Sequence, residues 1–511
     1  MELPQPAVAT GVFCRFFGEK QPGIPVSEER GAPEIENPCR GVYSISQKAT
    51  GSLLTETKAM NDTKTPDTLL TEGPISKTIL KYALPIFIGY LFQQFYNTAD
   101  AIIVGNLIGS SALAAVTGTG AIVFMAVGFF LGFSIGAGIV IARRIGAQDH
   151  ESTASAVHTT VAMGVAFSVL MTAAGVLLTP GVLRLMGTPD DVFPEASLYL
   201  RIYFAGSTGF VMYNTFVGIL QASGDSKHPL YYLIICSLIN IVLDVVLIAV
   251  FRMGVDGAAL ATVLSQCAAA VMAGRRLVRR DDSIRIRLRS IRFDLQDMRE
   301  ITKFGLPTAG QNCVIDLSNV LIQSYINSFS SAAMAGIGAY IKAEGFAFLP
   351  VTAFSMAMST FISQNIGAGE RERVRKGARF GLIGTILVTE AIGVAVFILA
   401  PYIVSAFNRD PQVIAYGAMK ARISSLFFCL VGFSHVSSAV MRGLGRPMTP
   451  LLVMLICWCA VRVIVLSTIG HVYHDIRLAC WIYPVTWTMS TVVYILCLRR
   501  DHIFGRERPS G

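Results

Sequence analysis

Three helical stretches carry the side chains of this chain that could do chemistry inside an apolar environment. In PIFIGYLFQQFYNTAD (85–100), Gln93, Asn97 and Asp100 fall at i, i+4 and i+7, one polar stripe on a helix otherwise covered by Ile86, Phe87, Leu91, Phe92 and Phe95. In LINIVLDVVLI, Asn240 and Asp244 stand at i and i+4, and Thr262 follows in the next apolar run. Two carboxylates, an amide and a hydroxyl are hard oxygen ligands or proton acceptors, so their convergence would suit a small cation, H+ or Na+, at Asp100, Asn240, Asp244 and Thr262. The plainer alternative is that they cross-link helices through hydrogen bonds.

The third stretch is built differently. Asn312, Asp316, Asn319 and Gln323 recur at i, i+4, i+7 and i+11, and the following segment, GAYIKAEGFAF, adds Lys342 and Glu344. A Lys–carboxylate pair inside a bundle, Lys342 with Asp316, is one reading; a Lys342 that snorkels to an interface is the other. With Gln93 and Asn97, the residues Asp316, Asn319, Lys342 and Glu344 are candidates for lining a substrate cavity. Glu390, Arg201, Arg422 and Arg462 are the remaining ionisable groups in apolar runs; the arginines are expected to pack helices or reach an interface, and Glu390 has no partner visible in the sequence.

The elements that must position these residues are membrane spans. Of 511 residues, 53% are hydrophobic and 15% charged, with mean hydropathy +0.57. Twelve apolar runs long enough to span a bilayer lie near 79–107, 112–141, 153–178, 195–222, 229–251, 256–275, 299–328, 332–364, 377–405, 413–441, 448–470 and 476–498. Lys and Arg gather in alternate loops, densest at 275–299, which places both termini in the cytoplasm and accounts for the net charge of +9 without nucleic acid. The expected class is an all-α integral membrane protein: a disordered cytoplasmic tail (1–72), a six-helix lobe (73–275), a basic cytoplasmic linker (276–298), a second six-helix lobe (299–498) and a short tail (499–511). Met60 offers a natural start, which would make everything before it an upstream extension.

The halves repeat. ILKYALP (79–85) returns as ITKFGLP (301–307), with Pro307 in the place of Pro85. At nearly the same displacement, IGA (145–147) returns at 366–368, the turn at 222–230 at 443–451, and Arg201 as Arg422. Six spans per half, an even number, give both halves the same orientation about a pseudo-two-fold axis along the membrane normal. At the displacement of the turns, Asn240 and Asp244 correspond to Val461 and Val465, so the cation cluster belongs to the first lobe alone.

Other chemistries are excluded. GTGAIV and GFFLGFSIGAG lack a Walker Lys, and Gly128, Gly132 and Gly136 read as a ridge for close helix packing. No nucleotide site means an ion gradient must supply the energy, and His158, His228 and His435 have no nucleophile in pattern, so the protein is not an enzyme. Cysteines such as Cys236, Cys457 and Cys480 lie in apolar spans without ligand spacing.

The twelve spans in two homologous sixes, Pro85 with Asp100 further along the same helix, the IGA, SGD and GLGRP turns, and the N-x-x-x-D of Asn240 and Asp244 together resemble the multidrug and toxic compound extrusion (MATE) transporters over residues 75–498. The resemblance implies antiport in the cytoplasmic (inner) membrane, H+ or Na+ entering while an amphipathic, often cationic, organic compound leaves through a V-shaped cavity between the lobes. It places the cation or proton site at Asp100, Asn240, Asp244 and Thr262, substrate-cavity positions at Gln93, Tyr199 and Asn214, and no cofactor beyond the coupling ion. Pro85 is the expected hinge, the partners are the lipid bilayer and small amphipathic substrates, and the protein is read as a monomer. The alternative is a flippase for lipid-linked or amphipathic cell-envelope precursors.

Overall fold

Backbone in hydrocarbon has only itself to bond to, and this chain folds into helices accordingly. The computed structural model describes residues 69–107, 119–190, 192–501 and 503, with no strand among them. Residues 1–68, and with them nearly all of the expected tail and the question of Met60, lie outside the described residues. The first bundle comprises α1 (Ile75–Leu107), α2 (Gly120–Gly146), α3 (His150–Leu185), α4 (Phe193–Ala205), α5 (Ser207–Ala222), α6 (Lys227–Asp244, continued by the π-helical turn Val245–Val250) and α7 (Val255–Val278). The second comprises α8 (Leu295–Ile326), α9 (Ser331–Ala347), α10 (Leu349–Gly367), α11 (Arg371–Ser405), α12 (Pro411–Ser425), α13 (Phe428–Gly443), α14 (Met448–Val453), the π-helical turn Met454–Ala460, α15 (Val461–Val472) and α16 (Ile476–Arg500).

Among the described residues, nine helical rods are long and apolar enough to cross a membrane, ten when α12 and α13, bent by 56° at their junction, count as one. The α4–α5 pair and α8, whose first turns carry Asp297, Arg299, Glu300 and Lys303, complete the twelve expected spans. Asp149, Asp294, Asp410 and Asp475 start their helices by accepting from backbone N–H groups of the first turn. The repeat shows in the breaks as well: Gly206 ends α4, and Phe427, its counterpart at the displacement of the turns, separates α12 from α13.

The bundles meet along α2 against α8 and α10, and α1 against α10. The glycine ridge makes this seam. A Cβ at Gly132 or Gly136 would collide with the backbone of Ala309 or Gly305 on α8, and Gly128 faces the Asp316 carboxylate. Interbundle hydrogen bonds among the described residues concentrate at the helix ends that carry the basic loops. Gln364 Nε2 donates to the Ala222 carbonyl (2.8 Å) and Arg143 Nη2 to that of Gly443 (3.0 Å), while Arg144 pairs with Asp297 (2.7 Å) and Glu300 (2.6 Å) of α8. Arg143 and Arg144 therefore join the bundles.

Residues 69–72, expected to belong to the tail, pack into the same end. Leu70 is buried, its N–H donates to Gln364 Oε1 (2.8 Å), and its carbonyl accepts from Asn365 Nδ2 (3.2 Å). In the SGD turn, Asp225 holds His228 Nδ1 (2.8 Å) and Arg276 Nε (3.4 Å). Burial alone would raise this carboxyl, but His228 and Arg276 outweigh it and keep Asp225 below the usual carboxylate range. The linker is tied down too: His158 Nε2 accepts from the Arg287 N–H at 3.0 Å, and Ser155 Oγ donates to Asp297 at 2.6 Å.

Candidate functional site

Packing α1 against α6, and α6 against α7, brings the separated sequence candidates together. Asp100 and Asp244 turn their carboxyls toward one another within hydrogen-bonding reach. With the Asn240 amide oriented to satisfy both its ends, its nitrogen donates to Asp244 Oδ2 (3.0 Å) and its oxygen accepts from the Thr262 N–H (3.3 Å). Thr262 Oγ1 donates to the Ala258 carbonyl (3.1 Å), which anchors the hydroxyl to α7. Asn240 and Asp244 have no exposed surface at all. One oxygen of each carboxyl, Asp100 Oδ1 and Asp244 Oδ1, is buried without a protein hydrogen bond.

Asp244 is also the last residue of α6 before the backbone widens into Val245–Val250. A π-helical turn leaves the ladder locally looser, and such turns recur at functional sites. Tyr199 of α4 is buried within electrostatic reach of both carboxyls and stacks on Tyr203 at 6.4 Å. Tyr96, one turn before Asp100, lies beside the same group. Sequence reasoning overlooks Tyr96 and Tyr203; an aromatic at i−4 from a buried acid is the available signal.

The other candidates divide. Gln93 and Pro85 are half-buried on an α1 that continues unbroken through the proline, and Asn97 is exposed. Asn214 is half-buried and returns its amide to its own helix at the Phe210 carbonyl (2.9 Å). Asp316 sits against Gly128, and Asn319 accepts from Arg462 Nη1 at 3.4 Å. The expected Lys342–Asp316 pair does not form: Lys342 is exposed, with no ion pair among the described residues, because it projects from the face of α9 opposite the bundle interior. Glu344 turns inward instead and accepts from Tyr340 Oη (3.1 Å). Its cationic neighbours are Lys420, which the sequence reading passes over, and Arg462. Glu390 has a partner after all, the Cys429 backbone N–H in the first turn of α13 (3.3 Å). Arg201 and Arg422 are both exposed, and Arg462 is fully buried, bonded to Ser318 Oγ (2.9 Å). Among the described residues no three His, Cys, Asp or Glu side chains cluster as metal ligands, so a Na+ ion would rest on two carboxylates, an amide and a hydroxyl.

The MatE family model matches residues 85–246 and 307–468. From the first match to the second, both ends are displaced by one position more than the IGA and SGD turns between them. Counted from the ends of the two matches, rather than from the turns, Asn240 would fall on Arg462 instead of Val461. The chain is 30% identical over 398 residues to "Probable multidrug resistance protein YpnP" of Bacillus subtilis, covering 77% of this chain and 88% of that one. It is 26% identical over 420 residues to "Probable multidrug resistance protein NorM" of Thermotoga maritima, 80% of this chain and 88% of that protein. A solved multidrug resistance MATE family transporter of the MOP superfamily, in an outward-facing conformation, superposes with a TM-score of 0.81 at 23% identity, over 87% of this chain and 100% of that one. The flippase alternative finds no support in these matches. Two matched halves covering most of the helical region, a relative at 30% identity and the shared two-bundle fold establish that this protein is a multi-pass membrane transporter of the MATE family, and not an enzyme.

Proposed function

We propose that the protein is a secondary antiporter that exports amphipathic, often cationic, organic compounds in exchange for H+ or Na+, with the coupling cation taken at Asp100 and Asp244 and steadied by Asn240 and Thr262. The observation that carries this reading is the facing of two buried carboxyls in one bundle only. Two carboxylates in a low-dielectric interior repel strongly unless a proton or cation lies between them. Occupancy therefore changes the local charge, and with it the fit of α1 against α6; Pro85, which removes one α1 hydrogen bond, is where α1 would bend. Gln93, Asn97, Tyr199, Asn214, Asp316 and Asn319 are assigned to the substrate path. The basic ends, where the bundles are tied, face the cytoplasm in this reading, with both termini there, and the cavity opens to the other side. The protein acts as a monomer in the cytoplasmic membrane.

The test is dye efflux from proteoliposomes under an imposed pH gradient or, separately, a Na+ gradient. One gradient is expected to drive uphill export, and Asp100→Asn and Asp244→Asn are each expected to abolish it. Wild-type export by either variant would reject the assignment.

A further inference from the structure

The interior of the second bundle buries two cationic side chains, Lys420 and Arg462. At the displacement of the neighbouring turns Lys420 corresponds to Tyr199, and Arg462 directly follows Val461, the counterpart of Asn240. Lys420 from α12 and Arg462 from α15 both address the ring of Tyr483 on α16, with Lys420 Nζ 3.4 Å and Arg462 Cζ 4.5 Å from its centroid. Lys420 is 1% exposed and Arg462 fully buried. Neither Lys420 Nζ nor Arg462 Nη2 makes a hydrogen bond among the described residues. Among those residues Glu344 is the one carboxylate near both, and it already accepts the Tyr340 hydroxyl. Arg462 spends Nη1 on Ser318 and Nε on Thr486 (3.3 Å), which fixes the direction of its free Nη2.

Two cations and one carboxylate leave a surplus positive charge in a dry interior, and an uncompensated charge at that depth is far costlier than a hydrogen bond is worth. A ring face offers an ammonium modest relief only. We propose that Lys420 Nζ and Arg462 Nη2 together form a binding site for a monovalent anion, with Tyr483 as its apolar wall. A halide ion or the carboxylate of a zwitterionic cargo has this chemistry; a dianion would overcompensate beside Glu344. The site does not depend on the function assigned to the acid pair.

Trp458 provides a reporter. Its ring centroid is 5.1 Å from Arg462 Cζ, and the residue is 5% exposed, so bulk iodide cannot reach it by collision. In a Trp481→Phe background, which removes the exposed member of the three tryptophans, purified protein in detergent is titrated with iodide at constant ionic strength. Saturable quenching that chloride reverses is expected. Apparent iodide affinity should fall at least about tenfold in Lys420→Gln, the loss of one charge-assisted contact, and recover in Lys420→Arg. A zwitterionic dye that reverses quenching while its methyl ester does not would identify the anion as cargo; reversal by chloride alone would identify a free ion. Linear, unsaturable quenching in the protein with Lys420 and Arg462 intact overturns the proposal, and that readout does not depend on any variant folding.

Discussion

Gly146 at the end of α2 packs directly against the Gln364 carbonyl of α10, where a Cβ would overlap the backbone. The repeat supplies the same contact again, with Gly367 against the Arg143 carbonyl. Gly146→Ala and Gly367→Ala should each force the basic ends apart, at a cost of about 1–3 kcal/mol typical of overpacking. Interbundle distances from spin labels on the 147 and 368 turns should lengthen in both variants to a similar extent. Gly181→Ala, where a Cβ meets nothing within 4 Å, should leave them unchanged.

Gln364 also fastens the segment before α1, accepting from the Leu70 N–H while donating to Ala222. Gln364→Ala removes both bonds. Amide exchange at Leu70 is then expected to quicken by roughly tenfold, as for the loss of one or two net hydrogen bonds. Unchanged exchange would show that burial of the Leu70 side chain alone holds the segment.

Asp225 should give stability a pH signature. Its folded-state carboxyl titrates below the ordinary range, since His228 and Arg276 outweigh its burial. The unfolded chain therefore binds the proton first as pH falls. The stabilisation is complete above the ordinary Asp value of about 3.9 and drains away as pH drops through the lower folded value. Thermal unfolding of Asp225→Asn against the parent should show a deficit of several degrees at neutral pH that narrows towards pH 3.

Glu390 accepts from the Cys429 N–H at the start of α13, where the 56° bend leaves donors without helical partners. Glu390→Gln keeps an acceptor but removes the charge that favours a helix N-terminus. A loss of about 1 kcal/mol in thermal stability is expected, with uphill dye efflux retained. Abolished efflux in a stable variant would instead place Glu390 in the transport path.

The acid cluster is legible in the sequence because Asp100, Asn240 and Asp244 are expensive in apolar spans and share helical spacing, so each points inward before any packing is known. Lys420 escapes notice for a physical reason. Its significance comes from Tyr483, Glu344 and Arg462, which lie on three other elements with no common spacing to read. Arg462 stands out by type, but its partners Ser318, Asn319 and Thr486 lie on other elements that its spacing does not reveal. The Lys342–Asp316 pairing fails because Glu344, two positions on, takes the inward face of α9. Glu390 has no explanation in sequence, since its partner is a backbone N–H exposed only by a tertiary bend.

The paired contacts of Gly146 with Gln364 and Gly367 with Arg143 make the sealed end an isologous interface inside one polypeptide. A six-helix unit carrying this surface is self-complementary, so two separate copies could already form the seal. Such a homodimer would be obliged to place identical ion sites in both halves. Joining the halves lifts that constraint: the contacts on the axis keep their symmetry, while the two interiors can take opposite charge, carboxyls around Asp244 in one and ammonium and guanidinium groups around Tyr483 in the other.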